Sequence, residues 1–224
     1  MKIYANMPLP SHTLLRYEEC FAKCVLEDLF SFRYSSLSLI DKPDLISNSL
    51  DCGIEVTEAI SAESKQLLTM WSMIPYRNEE VREKNIALLK EKGINYSGVQ
   101  CWPGIMLTYT DISKSVYRYI LDCFDRKLKN INCGNYKELS TYELFIICEL
   151  LITREAIDDI HHHFTNIDSH VKKFNTVYLF ALEKIYVFDL INDCYEIVSY
   201  TSMQQFEWAN NAREMVITAE KINE

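Results

Sequence analysis

Hydrophobic positions change their spacing several times along the chain, and each change marks an element. Over residues 11–30, Leu14, Tyr17, Phe21, Cys24 and Val25 recur at helical spacing, with Ser11 or Thr13 available as a cap. From 31 to 58 the period shortens. Ser-Leu-Ser-Leu-Ile, Asp-Leu-Ile-Ser and Gly-Ile-Glu-Val-Thr are short, alternating and β-branched, so this stretch predicts strands. Residues 59–74 return to a helical pattern marked by Ile60, Leu67, Leu68 and Trp71, and Pro75 ends it. A charged amphipathic helix over Asn78–Glu91 follows, stopped by Gly93. Residues 95–110 carry Gly98, Pro103 and Gly104 and predict loop with some strand. Asp111 caps a further helix running to about Ile131, broken at Cys133-Gly134-Asn135.

In the second half, the apolar run Leu144–Ile152 suits either a buried strand or a core helix. Thr176–Phe188 and Cys194–Tyr200 are β-rich, with Ile191-Asn192-Asp193 as a turn between them, and the stretch from Ser202 is most simply helical. This order predicts a single α/β (α+β) domain over 1–224, with a mixed central sheet flanked by helices.

Charge narrows the partners. With 23 Lys and Arg against 32 Asp and Glu, the net charge is −9, so the protein is not a bulk polyanion binder. A nucleic-acid contact has to come from a local basic patch or with the help of divalent cations. The eight cysteines form no CxxC pair and sit mostly in apolar runs, which reads as reduced thiols. The opening MKIYANMPLP lacks the apolar stretch of a secretory signal, and no apolar run approaches a membrane span. A cytoplasmic protein with no membrane partner is the expectation. Gly-rich phosphate loops (GxGxxG, GxxxxGK[ST]), a GxSxG elbow and an HExxH helix are all missing.

The informative segment is Lys42–Ala59. Asn48–Asp51 has turn composition, and both flanks are strand-like. A hairpin centred between Ser49 and Leu50 sets Asp44 opposite Glu55 and Lys42 opposite Thr57, with Thr57 on the face of Glu55. Two carboxylates that close repel when both are ionised. A divalent cation between them relieves this, and oxygen-only ligands suit Mg²⁺ or Mn²⁺. Such an ion polarises a phosphodiester and acidifies an attacking water.

In these residues the chain resembles the restriction-endonuclease-like nucleases, the PD-(D/E)XK superfamily. Pro43-Asp44 stands as the PD, and Glu55-Val56-Thr57 stands where the acidic-X-Lys triplet would be. The resemblance covers about a third of the chain, and residues 11–74 offer the family's order of helix, three strands and helix before a further strand. It implies a restriction-endonuclease-like core, metal binding by Asp44 and Glu55, and a first-helix glutamate, Glu18 or Glu19, in the metal shell. The family lysine, which stabilises charge and orients water, is replaced by Thr57. Lys65 on the following helix and Lys42 across the hairpin are the candidates to supply that charge, and Gln66 stands where some members carry a functional glutamine. If no lysine reaches the site, the resemblance implies a non-catalytic interaction protein on the same fold.

Other clusters carry weaker chemistry. Consecutive His161, His162 and His163, with Asp158, Asp159 and His170 nearby, cannot all face one ion from a regular helix, so they read as solvated surface. Cys20 and Cys24 read as core thiols. Lys114, Arg118, Arg126, Lys127 and Lys129, interrupted by Asp122 and Asp125, read as a solvated face. Tyr178, Phe180, Tyr186 and Phe188 read as sheet packing.

Overall fold

A computed structural model describes residues 9, 13–61, 65–67, 69–70, 74, 77–92, 115–133, 136–148, 152–167, 171–182 and 184–222. Helix α1 spans Tyr17–Leu29 and is followed by three strands, β1 (Ser38–Leu39), β2 (Leu45–Ser47) and β3 (Cys52–Glu58). Residues 65–67 and 69–70 are helical. Then come α2 (Glu79–Glu91), α3 (Ser115–Asn132), β4 (Thr141–Ile147), α4 (Arg154–Thr165), β5 (Thr176–Ala181), β6 (Lys184–Asp189), β7 (Cys194–Ser199) and α5 (Ser202–Ile222). The predicted stops at Pro75 and Gly93, the loop over 95–110, the cap at Asp111 and His170 lie outside the described residues.

The seven strands form one mixed sheet in chain order, β1 to β7. The β3–β4 and β4–β5 pairs are parallel and the others antiparallel. Alternation along the strands sorts side chains into two layers. One face carries Ile54, Val56, Phe145, Ile147, Tyr178 and Phe180, packed with Phe21 and Val25 of α1 and Trp208, Ala212 and Val216 of α5. The other carries Leu144, Ile146, Val177, Leu179 and Phe188, packed with Ile120 and Phe124 of α3 and Ile157, Ile160 and Phe164 of α4. The mixed α/β architecture is therefore a sheet with helices on both faces. Being covered on both sides makes β4 apolar at successive positions, and its parallel pairing on both edges decides that the run from Leu144 is strand and not helix.

Helix α1 starts at Tyr17, later than the sequence pattern predicts, and its N-cap is Arg16, which makes no side-chain capping bond. Glu18 and Glu19 occupy the first turn, where the positive end of the helix dipole favours carboxylates. Asn78 caps α2 by accepting from the Val81 N–H at 3.0 Å. Helix α4 is capped by Thr153 and exposes His162, an element that the histidine run concealed.

The β2–β3 register is the one the turn composition predicts: Leu45 pairs with Ile54, Ile46 with Gly53 and Ser47 with Cys52. Asp51, at φ 48°, closes the turn and accepts from the Ser140 N–H at 2.9 Å, tying the hairpin to the start of β4. Gly53 is required here, because a Cβ would lie 2.5 Å from Cγ of Pro43. The bare backbone lets Pro43 pack against β3, and this holds Asp44 alongside it. Among the described residues no helix is long and apolar enough to cross a membrane, and the seven described cysteines are free thiols.

Candidate functional site

Asp44 lies one residue before β2, where the hairpin register continues toward Glu55. The Val56 N–H donates to its Oδ2 at 2.7 Å, which fixes the carboxylate against β3. Lys127 of α3 completes the group. Its Nζ donates to Asp44 Oδ2 at 3.0 Å and to Glu55 Oε2 at 2.6 Å, so one ammonium bridges both carboxylates. The three side chains are largely buried, at 13% exposure for Lys127, 11% for Asp44 and 2% for Glu55. Glu55 Oε1 is buried and has no hydrogen bond of good geometry among the described residues. Tyr136, between α3 and β4, lies against this carboxylate, and its phenol is pushed up by burial and by Glu55.

Burial raises the Glu55 pKa most, Lys127 opposes the rise and Asp44 adds to it. Glu19 joins from the first turn of α1. Burial, then the charge of Asp44, push its carboxyl up to about 7, against the pull of Arg16, whose Nη1 is 3.3 Å away. Of the two first-helix glutamates, Glu19 is the one coupled to Asp44. Glu18 acts on Glu58 instead, raising its pKa behind the larger effect of burial.

The proposed lysine substitutes fall elsewhere. Lys65 Nζ pairs with Glu58 Oε2 at 2.5 Å. Glu58 alternates with Glu55 and Thr57 on β3, so it draws Lys65 toward the α1 face and away from the carboxylate pair. Lys42 and Gln66 are exposed. Among the described residues no hydrogen bond or ion pair joins Lys42, Lys65 or Gln66 to Asp44 or Glu55. Lys127, read from the sequence as solvated, supplies the charge. The signal was its phase: Ile120, Phe124, Lys127 and Ile131 fall on one stripe of α3, and the three isoleucine and phenylalanine side chains are fully buried. The neighbouring Arg126 Nη2 donates to Thr57 Oγ1 at 3.0 Å and to Cys123 Sγ at 3.3 Å. A cation from α3 thus covers the position where the resemblance expects a lysine.

The histidines diverge. His161 stacks on Phe188, and His163 contacts Asp125 Oδ1 at 2.8 Å. Among the described residues no three His, Cys, Asp or Glu side chains converge as a ready-made ligand set. At Asp44 and Glu55 the place of a cation is taken by an ammonium. Asp44 and Glu55 offer two oxygen-donor carboxylates of the type a hard divalent ion takes, and Glu19 is coupled to Asp44.

Glu19 makes stability depend on pH. Its carboxyl binds a proton more tightly folded than unfolded, so folding is favoured below about 4.5 and that gain is lost as pH rises to about 7. Glu19→Gln is expected to become more stable than wild type as pH rises from 5 to 8, by roughly 2 kcal/mol with solvent screening included. Urea melts of both proteins across that range check it, and parallel curves would refute it.

The chain matches no protein-family model, no curated protein and no solved structure.

Proposed function

We propose that the protein is a Mg²⁺- or Mn²⁺-dependent nuclease of the PD-(D/E)XK kind, acting on phosphodiesters of DNA or RNA. The observation that carries this reading is the Lys127 ammonium within 3.0 Å of both Asp44 and Glu55. It unites the carboxylate pair of the motif with the cation that Thr57 lacks. The order of helix, three strands, helical turns and a parallel strand supports it further.

Asp44 and Glu55 would hold the metal ion, with the carboxyl of Glu19 coupled to Asp44 from the first turn of α1. The ion, when bound, supplies Lewis acidity to the phosphodiester and to an attacking water. The Val56 N–H keeps Asp44 oriented. Lys127, freed from one carboxylate, directs its ammonium at the developing negative charge and positions the water. Nucleic acid is the partner in this reading, and reduced cysteines agree with a cytoplasmic location.

A specific observation favours a second reading, a non-catalytic interaction protein. Lys127 already neutralises both carboxylates, and Thr57 occupies the position of the motif lysine. Calorimetry and a cleavage assay separate the two. Wild type is expected to bind Mn²⁺ roughly tenfold more tightly than Asp44→Asn. It should also cut single- or double-stranded DNA or RNA with Mn²⁺ present, and His162→Ala/His163→Ala should leave the metal affinity intact. Equal Mn²⁺ affinity in wild type and Asp44→Asn, together with no cleavage, would establish the second reading.

A further inference from the structure

The cations around the carboxylates are almost all spent on acids. Arg16 pairs with Glu19, Lys65 with Glu58, and Lys127 with Asp44 and Glu55. Arg126 is different. Among the described residues it pairs with no carboxylate, although it neighbours Lys127 in the chain and its guanidinium contacts a β3 residue two positions from Glu55. Its partners are neutral: Thr57 Oγ1 and Cys123 Sγ, both reached from Nη2. The thiol of Cys123 donates in turn to the Glu58 carbonyl at 3.1 Å, so the anchor is tied to the β3 backbone.

A guanidinium has five N–H donors. The two on Nη2 are used by Thr57 and Cys123, which leaves Nε and Nη1 with three donors while the side chain stays exposed. A fixed, uncompensated cation at the rim of an acidic, buried pair is suited to an anion that must be brought next to those acids. It offsets part of the repulsion between a phosphate and the carboxylates. We propose that Arg126 binds a phosphate of a nucleic-acid strand, next to the phosphodiester presented to Asp44, Glu55 and Lys127. This rests on the nuclease reading for the identity of its ligand. The charge of Arg126, unpaired among the described residues, would supply the local attraction that a strand needs to approach a chain of net charge −9.

The test is fluorescence anisotropy with labelled 12-nucleotide DNA and RNA strands in EDTA, at several salt concentrations, on wild type, Arg126→Ala and Arg126→Lys. Arg126→Ala is expected to bind both strands about tenfold more weakly, with a salt slope lower by about one. Arg126→Lys should regain part of the affinity, because it keeps the charge. The difference between the wild-type DNA and RNA affinities identifies which strand supplies the phosphate. Mn²⁺ affinity by calorimetry and melting temperature should stay near wild type in Arg126→Ala. Equal strand affinity and slope in wild type and Arg126→Ala would overturn the proposal, and so would a wild type that binds neither strand. Loss of Mn²⁺ affinity and melting temperature in Arg126→Ala without a change in salt slope would make Arg126 a clamp on Thr57 alone. Failure of the nuclease reading is seen separately, as Mn²⁺ affinity unchanged by Asp44→Asn.

Discussion

Lys127→Met is expected to cost roughly 3–5 kcal/mol of stability at pH 7.5, because it leaves two buried carboxylates without a counter-charge, and on the proposed nuclease reading to remove Mn²⁺-dependent cleavage as well. Methionine keeps an unbranched stem of similar length, so the loss reports on the ammonium and not on a cavity. Asp44 and Glu55 are both largely buried, and Lys127 Nζ is the only ammonium that reaches them among the described residues. Without it, Glu55, already raised by burial, rises further and takes up a proton. The destabilisation should therefore shrink as pH is lowered toward 5, where the site sheds charge, and on the proposed metal-binding reading it should shrink again with saturating Mn²⁺ in place of the missing cation. Denaturant melts at pH 5 and 7.5, with and without Mn²⁺, measure this. A variant as stable as wild type at pH 7.5 would show that the bridge holds nothing together. On the nuclease reading, loss of the charge proposed to act in the transition state should lower kcat by about a thousandfold or more while KM changes little.

The hairpin at the centre of this site was legible because local rules determine it. A four-residue turn rich in Asn, Ser and Asp between two strand-like flanks admits one register that buries Leu45 and Ile54 while aligning Asp44 with Glu55. The central parallel strands were less legible. A run such as Leu144-Phe145-Ile146-Ile147 satisfies helix and strand periodicity equally, and only its position between β3 and β5 decides the matter. Lys127 was hidden for another reason. It lies 72 positions from Glu55 and 83 from Asp44, in a segment whose charges look like solvated surface. Its helical phase places it on the buried stripe, but burial of a lysine is decided by what packs opposite, and that is a tertiary fact. Lys65 and Lys42 were nearer in sequence and hairpin register, yet Glu58 captures one and the other projects from the exposed approach to Pro43. The first helix offered two glutamates, and only Glu19 is coupled to Asp44. The choice of Glu19 over Glu18 depends on the rotation of α1 over the sheet.

The amine itself, and not the element that carries it, should be what the site requires, and Thr57 offers the test. Its side chain leaves β3 on the same face as Glu55, two residues along, and is buried against Arg126. Thr57→Lys in the wild-type background adds an ammonium beside Lys127 and displaces the Arg126 bond. It should destabilise the protein by about 1–3 kcal/mol and give no gain in cleavage. In the Lys127→Met background the same change supplies the missing counter-charge from the position the resemblance assigns to it. The double variant is expected to recover roughly half of the lost stability at pH 7.5 and at least about tenfold of the lost cleavage rate, an interaction that a double-mutant cycle reads directly. Stability regained without cleavage would show that the ammonium must approach from α3 to act on the phosphodiester, while its electrostatic role is met from either strand or helix. Additive losses in both measurements would mean that the lysine introduced on β3 does not reach the carboxylates, and the equivalence of the two positions would fall. A wild type that cuts no substrate, alongside a Thr57→Lys single variant that does, would assign the natural protein to the non-catalytic reading, with Lys127 as the lock that keeps its carboxylate pair closed.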